Sequence, residues 1–476
     1  MEFFVSTLLF GISVGGQYAL IAIGYTMVYG ILRLINFAHG DVFMVAGLLG
    51  IYLSSFLSAY LPPAPVIPVS LLLVLALTVA LGFCIERAAY KPLRSAPRMS
   101  VMISAIGVSY LLQNSATYIT GGQPMTYPSI PFLSDTISLA GTSIKWVVIL
   151  TPFLVAALVL VLTQLINHTK VGMAMRAVAK DFETSQLMGI KINSVISVTF
   201  VIGSALAAVG SMLYFTTYPA IVPTAGAMPG LKAFVAAVFG GIGSIPGAAI
   251  GAFLIGCCAN FVQIMPFDGA TPFVDAFPSA RPTIILVFKP PGLFGEKATD
   301  LVQGGNDDMI HDRKSKKGAA AGLIFAAGVL VLVVLLENLS SLLPSVPAVL
   351  QPTSQLFTVL KKGAVYSLVA VSMNLLNGCT GLFSLGQAGF MLLGAYSYAI
   401  LTIPVAKRAG VYQYFDGGWV QFSLPEAFSG VLGDTVGSVI GMLLALLVGG
   451  VLAGLVAYLI GLPVLRMTYT QRPNAT

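Results

Sequence analysis

Long apolar runs, separated by short loops that carry most of the basic residues, constrain the fold of this chain most. The runs are roughly 18 to 25 residues long, which as helices matches the thickness of the hydrocarbon core. A chain with 57% hydrophobic and 9% charged residues cannot form a water-compatible globular surface. The net charge of +7 falls in the loops between runs, where it sets membrane orientation, so nucleic-acid binding is not its explanation. We predict an all-α, polytopic transmembrane helix bundle.

An internal repeat indicates duplication. The segment 16–50 recurs in altered form at 364–398, and the two copies align without a gap at an offset of 348 (366 − 18), which pairs Tyr18 with Tyr366 and Gly30 with Gly378. Repeats of this kind are typical of transporters. We expect a parallel internal repeat, whose two copies cross the membrane in the same direction.

The positions of basic loops give the expected topology, with the N-terminus outside. The predicted spans of the first half lie near 5–30, 41–60, 66–86, 100–120, 145–166 and 193–215. A glycine-broken pair, 229–241 and 247–264, then predicts a broken helix at membrane depth. The segment 273–288 contains charged residues and prolines and makes a poor span.

A polar stretch divides the chain. We assign 1–295 to a first domain of about eight spans, 296–318 to a cytoplasmic linker, and 319–476 to a second domain of about four spans. The second set lies near 319–337, 356–378, 382–403 and 435–462. Four basic residues of this half fall on the expected outer side, against the positive-inside rule: Lys361, Lys362, Lys407 and Arg408.

Three motifs carry a family resemblance. The segments GILRLINFAHG from Gly30, GGIGSIPGA from Gly240 and KPPGLFG from Lys289 resemble the first permease subunit of branched-chain amino acid ABC importers. The segment NLLNGCTGLFSLGQAGFMLLGAY from Asn374 is similar to the start of the second permease subunit of that family. The resemblance implies a first subunit fused to an N-terminal part of the second, because the second subunit of the family continues through several more spans. A truncated or frame-shifted product would explain the polar ending, and so would a natural short form that borrows another subunit; these alternatives remain open.

The resemblance also implies partners and a location. These are two ABC ATPase subunits, an extracytoplasmic solute-binding protein, a full-length second permease subunit and the lipid bilayer of the bacterial inner membrane, with no nucleic acid. The chain has no GxxxxGK[ST] phosphate-binding loop. We therefore expect no cofactor on this chain, with ATP and Mg on the partner ATPases, and a transport subunit with no enzymatic activity of its own.

A cytoplasmic segment offers a docking site for such an ATPase. The loop 172–190 predicts a short amphipathic helix with a glycine near its end. The ATPase-docking loop of ABC importers reads Glu-Ala-Ala, three residues, Gly, and the matching positions are Glu183, Thr184, Ser185 and Gly189. Arg176 and Asp181 are candidates for charged contacts at its rim. The alternative is a solvated loop that only obeys the positive-inside rule.

Polar and glycine residues at the breaks are candidates for the translocation pathway or its gating. They are Asn36, His39, Asp41, Gly240, Gly241, Gly243, Ser384 and Gln387. Helix capping by Asn36 or Asp41, and close helix packing at the glycines, are alternatives that remain open. Three scattered histidines predict no metal site, and no catalytic set of residues stands out.

Branched-chain amino acids (leucine, isoleucine and valine) are the leading substrates. The alternatives are a urea or short-amide ABC permease, a passive channel, and an ion-coupled secondary transporter. A channel would not need the loop 183–189, and a secondary transporter would need ionisable groups at the midplane, of which Asp41 is the clearest.

Overall fold

The architecture is that of a computed structural model, which describes residues 2–32, 36–94, 96, 98–139, 142–241, 243–263, 354–380, 386–412 and 420–470. The chain divides into two compact units, Met1–Val302 and Gln303–Thr476. The expected linker 296–318, the poor span 273–288 and the predicted span 319–337 lie outside the described residues, so their assignments stay predictions.

Unit one is built almost entirely of helices. They are α1 Glu2–Leu32, α2 His39–Ser58, α3 Pro63–Ile85, α4 Arg98–Thr120, α5 Trp146–His168, α6 Lys170–Lys180, α7 Phe182–Leu187, α8 Ile192–Thr217, α9 Ala227–Gly240 and α10 Ile245–Gln263. At its end, α3 passes into a π-helical turn, Glu86–Tyr90, and a 3₁₀ turn, Lys91–Leu93.

Seven helices in the described residues are long and apolar enough to cross a membrane. Six belong to unit one and lie in α1, α2, α3, α5, α8 and α10. The seventh is Asp434–Leu462. The all-α, polytopic bundle is thus confirmed. Helix α4 stands where a span was expected but is less apolar, because residues such as Ser109, Gln113 and Asn114 interrupt it.

Helix α1 forms the centre of unit one and is enclosed by α5, α8, α9 and α10. Glycines allow its closest approach: a Cβ added at Gly256 of α10 would lie 2.4 Å from the Gly15 Cα of α1. Such small-residue contacts let two backbones touch, which is how helices gain packing energy in lipid. A buried amide also fixes α1 against α8, where Gln17 Nε2 donates to Thr217 Oγ1 at 3.0 Å.

Short strands join the connections at one end of unit one. Strand β1, Met125–Thr126, pairs antiparallel with β4, Ala220–Ile221, and β2, Thr136–Leu139, forms a hairpin with β3, Thr142–Lys145. The ring of Tyr127 fills the space left by Gly50 of α2, and burial raises the pKa of its hydroxyl to about 12. Through the pairing of β1 with β4, the α4–α5 connection is held against the segment that leads into α9.

The predicted broken helix is present as a hairpin. Helix α9 has 14 residues, too few to span a bilayer, and α10 begins at Ile245. Gly241 and Gly243, between them, have φ of 105° and 101°, which only glycine adopts without strain.

Unit two contains five described helices: α11 Ser354–Thr380, α12 Gln387–Thr402, α13 Val405–Val411, α14 Leu424–Leu432 and α15 Asp434–Thr470. Helices α12 and α14 both pack against α15. Arg408 was expected to be a free outer charge, but it is buried, and its guanidinium donates to the carbonyls of Ile400, Val420 and Phe422. Its charge therefore says little about orientation.

Candidate functional site

The connection between α1 and α2 is a buried polar site. Asn36 is 4% exposed, and its Oδ1 accepts hydrogen bonds from the Tyr90 hydroxyl at 2.7 Å and from the Ala38 backbone N–H at 3.1 Å. The second bond is a local turn contact of the kind expected from asparagine. The first crosses from the α1–α2 break to the π-helical turn after α3, so Asn36 joins two elements.

Asp41 lies in the first turn of α2, where a carboxylate complements the helix dipole. Its side-chain bonds, however, go to α4: Ser109 Oγ donates to Oδ2, and Gln113 Nε2 donates to Oδ1 at 3.0 Å. A buried carboxylate requires such donors, since its desolvation is otherwise expensive. Asp41 therefore connects α2 and α4 through neutral partners.

His39 occupies a notch made by two glycines. A Cβ added at Gly24 of α1 would lie 2.2 Å from His39 Nε2, and one at Gly203 of α8 would lie 3.6 Å from the ring. The imidazole meets the Tyr25 ring edge-on at 5.1 Å. His39 is 2% exposed, and its Nε2 has no hydrogen-bond partner. The polar residues of the break thus contact different elements: Asn36 the π-helical turn, Asp41 helix α4, and His39 helices α1 and α8.

Two glycines of the hairpin, Gly240 and Gly247, are packed with no room for side chains. A Cβ at Gly240 would lie 2.0 Å from the Gly247 carbonyl oxygen, and one at Gly247 would lie 2.4 Å from that of Gly240. Close packing accounts for Gly240, and backbone conformation accounts for Gly241 and Gly243. A role in the pathway for these three residues remains a hypothesis.

Of the two pathway candidates in the second copy of the repeat, only Gln387 lies within the described residues. Gln387 is the first residue of α12 and is half-buried. Ser384 lies outside the described residues. Tyr18 is buried in α1, but its counterpart Tyr366 is 62% exposed.

The expected coupling loop forms two helices, where one was predicted. The chain breaks at Asp181, which has extended backbone and whose carboxylate caps α7 by accepting from the N–H groups of Glu183 and Thr184. The Thr184 hydroxyl also donates to it, and these bonds lower the pKa of Asp181 below its ordinary value. Arg176 bonds to the Asn167 carbonyl at 3.2 Å.

Around this cap, Ser185 is buried and donates to the Asp181 carbonyl, while Gly189 ends the loop with φ of 81°. Three apolar side chains of α7 and its C-cap face outward: Leu187 at 87% exposure, Met188 at 78% and Phe182 at 40%. Exposed apolar side chains this close together in the sequence make the segment a candidate interaction surface. Together they form the face that we call the α7 face.

Comparison with known proteins identifies the family. The model of the family described as "Branched-chain amino acid transport system / permease component" matches residues 7–285 and again 355–476. This chain belongs to that family. The twofold match agrees with the internal repeat and covers most of the chain.

Individual permeases are also similar to this chain. The high-affinity branched-chain amino acid transport system permease protein BraD of Pseudomonas aeruginosa is 39% identical over 311 residues, 63% of this chain and 98% of the relative. LivH of Escherichia coli K12, with the same descriptive name, is 38% identical over 313 residues, with the same two shares. The ribose import permease RbsC of Haemophilus influenzae is 24% identical over 253 residues, 52% of this chain and 74% of the relative. No solved structure matches the chain.

Family membership and the apolar helices make this permease a multi-pass protein of the inner membrane. Four buried or half-buried polar residues of the permease were not singled out from the sequence: Glu86, Tyr90, Ser109 and Lys232. Lys232 is half-buried in α9, with its ammonium 6.0 Å from the centre of the Tyr18 ring. A charge inside an apolar helix is a signal that could have identified it.

Proposed function

We propose that this permease carries branched-chain amino acids across the inner membrane as a subunit of an ATP-driven ABC importer. The observation that carries the proposal is the match of the family model to both halves, together with relatives named for high-affinity transport of these substrates. An external solute-binding protein delivers the substrate, and partner ATPases hydrolyse ATP with Mg. A full-length second permease subunit is a further expected partner.

The α7 face is the surface on which an ATPase subunit docks. Its exposed leucine and methionine side chains would be buried in a groove of the ATPase, and each buried methylene group contributes about 0.8 kcal/mol. Glu183 and Thr184 begin α7, and the Asp181 cap fixes the direction in which that helix leaves α6. Arg176 lies one helix earlier, at the rim. A loop whose only role is to set the membrane orientation needs neither a helix cap nor an exposed apolar face.

The pathway is proposed to run past the α1–α2 break and the α9–α10 hairpin. Substrate is zwitterionic, and both breaks offer polar groups in a largely apolar surrounding. The buried, internally bonded positions of Asn36 and Asp41 favour a role in gating over direct substrate contact. Lys232 is the cation on α9 that could meet a substrate carboxylate.

Uptake in vesicles tests this function. Vesicles that contain the permease with its ATPase, binding-protein and second-permease partners are expected to accumulate leucine when ATP is supplied, even after ionophores collapse the proton and sodium gradients. Uptake that stops with the gradients would indicate a secondary transporter, and equilibration without ATP would indicate a channel. Accumulation of ribose or urea in preference to leucine would overturn the substrate assignment.

Docking has a separate test. Leu187→Ser should weaken capture of the ATPase by the detergent-solubilised permease and lower ATP-dependent uptake in parallel. Val411→Ser is the matched control, because Val411 is also an exposed apolar residue on a short helix, in unit two. Equal capture by both variants would remove the α7 face from the mechanism.

A further inference from the structure

The π-helical turn Glu86–Tyr90 lies between the two regions assigned above to coupling and to gating. Such turns hold one residue more than an α-helical turn and are uncommon, and they occur frequently at functional sites. Two of its five side chains are polar or charged and almost completely buried: Glu86 at 0% exposure and Tyr90 at 1%. Each makes a contact with a different part of the protein.

Glu86 faces the cytoplasmic connections. Its carboxylate forms an ion pair with Arg94 and accepts a hydrogen bond from Ser197 Oγ of α8 at 2.9 Å. The same Arg94 donates to Asn193 Oδ1 in the first turn of α8. A buried ion pair is costly to separate, because each charge left alone is poorly solvated. These groups therefore move together.

A cavity of about 400 Å³ lies between Arg94 of this ion pair and the coupling loop. Arg94 and Asn193 line one part of it, and Phe182 and Gln186 of α7 line another. Helix α7 also packs against α8, which carries Asn193 and Ser197. Displacement of α7 would therefore act through α8 on Arg94 and Glu86.

Tyr90 faces the other way, toward the α1–α2 break. Its hydroxyl donates to Asn36 Oδ1 at 2.7 Å, and its ring packs against Phe200 with centroids 5.0 Å apart. Asn36 has no comparable bond to α4 or α9 among the described residues. The hydroxyl of Tyr90 thus links Asn36 of the break to the π-helical turn.

We propose that Glu86 and Tyr90 are positioning residues, which transmit movement of the α7 loop to the α1–α2 break through the π-helical turn between them. The inference rests on the proposed function, since it needs an ATPase that moves α7. The extra residue of a π turn can shift along the helix in whole-residue steps. Such a shift would give the turn the discrete alternative arrangements that a transmitting element requires.

Tyr90→Phe tests the link, because it removes one hydroxyl and leaves the ring packed. The chain is reconstituted with its ATPase, second-permease and binding-protein partners, and leucine uptake and ATP hydrolysis are measured in the same vesicles. We expect ATPase capture and ATP hydrolysis to persist while leucine transported per ATP falls about threefold to tenfold, the range that loss of one hydrogen bond produces. Tyr118→Phe is the control, since Tyr118 is 89% exposed on α4.

The ratio of uptake to hydrolysis separates the outcomes. A purely structural effect lowers both rates together and leaves the ratio unchanged, which overturns the inference while the proposed function stands. Wild-type vesicles without ATP-dependent uptake overturn both. Should Tyr90→Phe fail to assemble, Ser197→Ala decides, because it removes a donor from Glu86: the ratio must fall there too, and an unchanged ratio refutes the proposal.

Discussion

Replacing Gly256 by alanine is the sharpest structural test of the bundle, because the added methyl group meets backbone on the facing helix. Its Cβ would lie 2.4 Å from both Cα and N of Gly15 and 2.7 Å from the Gly11 carbonyl oxygen. Carbon atoms prefer separations of about 3.5–4.0 Å. Helix α10 must therefore withdraw from α1 by about 1 Å or more, since backbone atoms cannot rotate away.

The expected cost follows from that displacement. Overpacking in a close-packed interior destabilises by about 1–3 kcal/mol, and a radial gap of about 1 Å forfeits up to half of the contact energy along the interface. We expect Gly256→Ala near the upper end of this range, because Gly15 is already glycine and cannot yield further space.

The assay is unfolding of the purified permease in mild detergent by titration with a denaturing detergent. Gly107→Ala is the matched control: it lies within α4, and a Cβ there meets nothing within 4 Å. The control should be neutral or gain about 0.5–1 kcal/mol from the better helix former. If Gly256→Ala unfolds at the same point as the wild type and the control, the close α1–α10 crossing is wrong.

Three further predictions concern the site. Gly24→Ala should destabilise by about 1–3 kcal/mol, because the methyl group overlaps His39, and adding His39→Ala should recover part of that loss in a double-mutant cycle measured by the same unfolding assay. Ser109→Ala should cost about 1–3 kcal/mol by leaving an oxygen of buried Asp41 without its donor, and Asp41→Asn should reduce the penalty; equal costs in both backgrounds would contradict the bond. Hydrogen bonds lower the pKa of Asp181, so its cap should protect the α7 amides from hydrogen exchange fully above the ordinary aspartate pKa. This protection should be lost as the pH falls through the lowered pKa of Asp181, and Asp181→Ala should lack the protection even at neutral pH.

The sequence predicted the helices of unit one closely because apolar length is a local property. The expected spans near 66–86 and 193–215 correspond to Pro63–Ile85 and Ile192–Thr217, and the glycine-broken pair corresponds to α9 and α10. The short amphipathic helix expected in the coupling loop is present as α6, but a second helix, α7, follows it and was not predicted. Asp181 can accept from the N–H groups that follow it, and that local bond starts a second helix.

The contacts of the site could not be predicted, because they join residues far apart in the chain. Ser197 bonds to Glu86 across 111 positions, and Gln113 bonds to Asp41 across 72. Sequence spacing shows that polar residues sit in apolar runs, but which of them meet depends on how the helices cross. The sequence therefore indicated Asn36 and Asp41 without their partners Tyr90 and Ser109.

The central place of α1 has a consequence for biogenesis. Along the chain α1 precedes its partner, because the hydroxyl that accepts a hydrogen bond from its Gln17 amide lies 200 residues further along, in Thr217. At about 5–20 residues per second, the ribosome needs roughly 10–40 s to supply that partner. Until then the Gln17 amide and the glycines of α1 lack the groups that they contact in the folded bundle, so α1 depends for that interval on shelter from the insertion machinery.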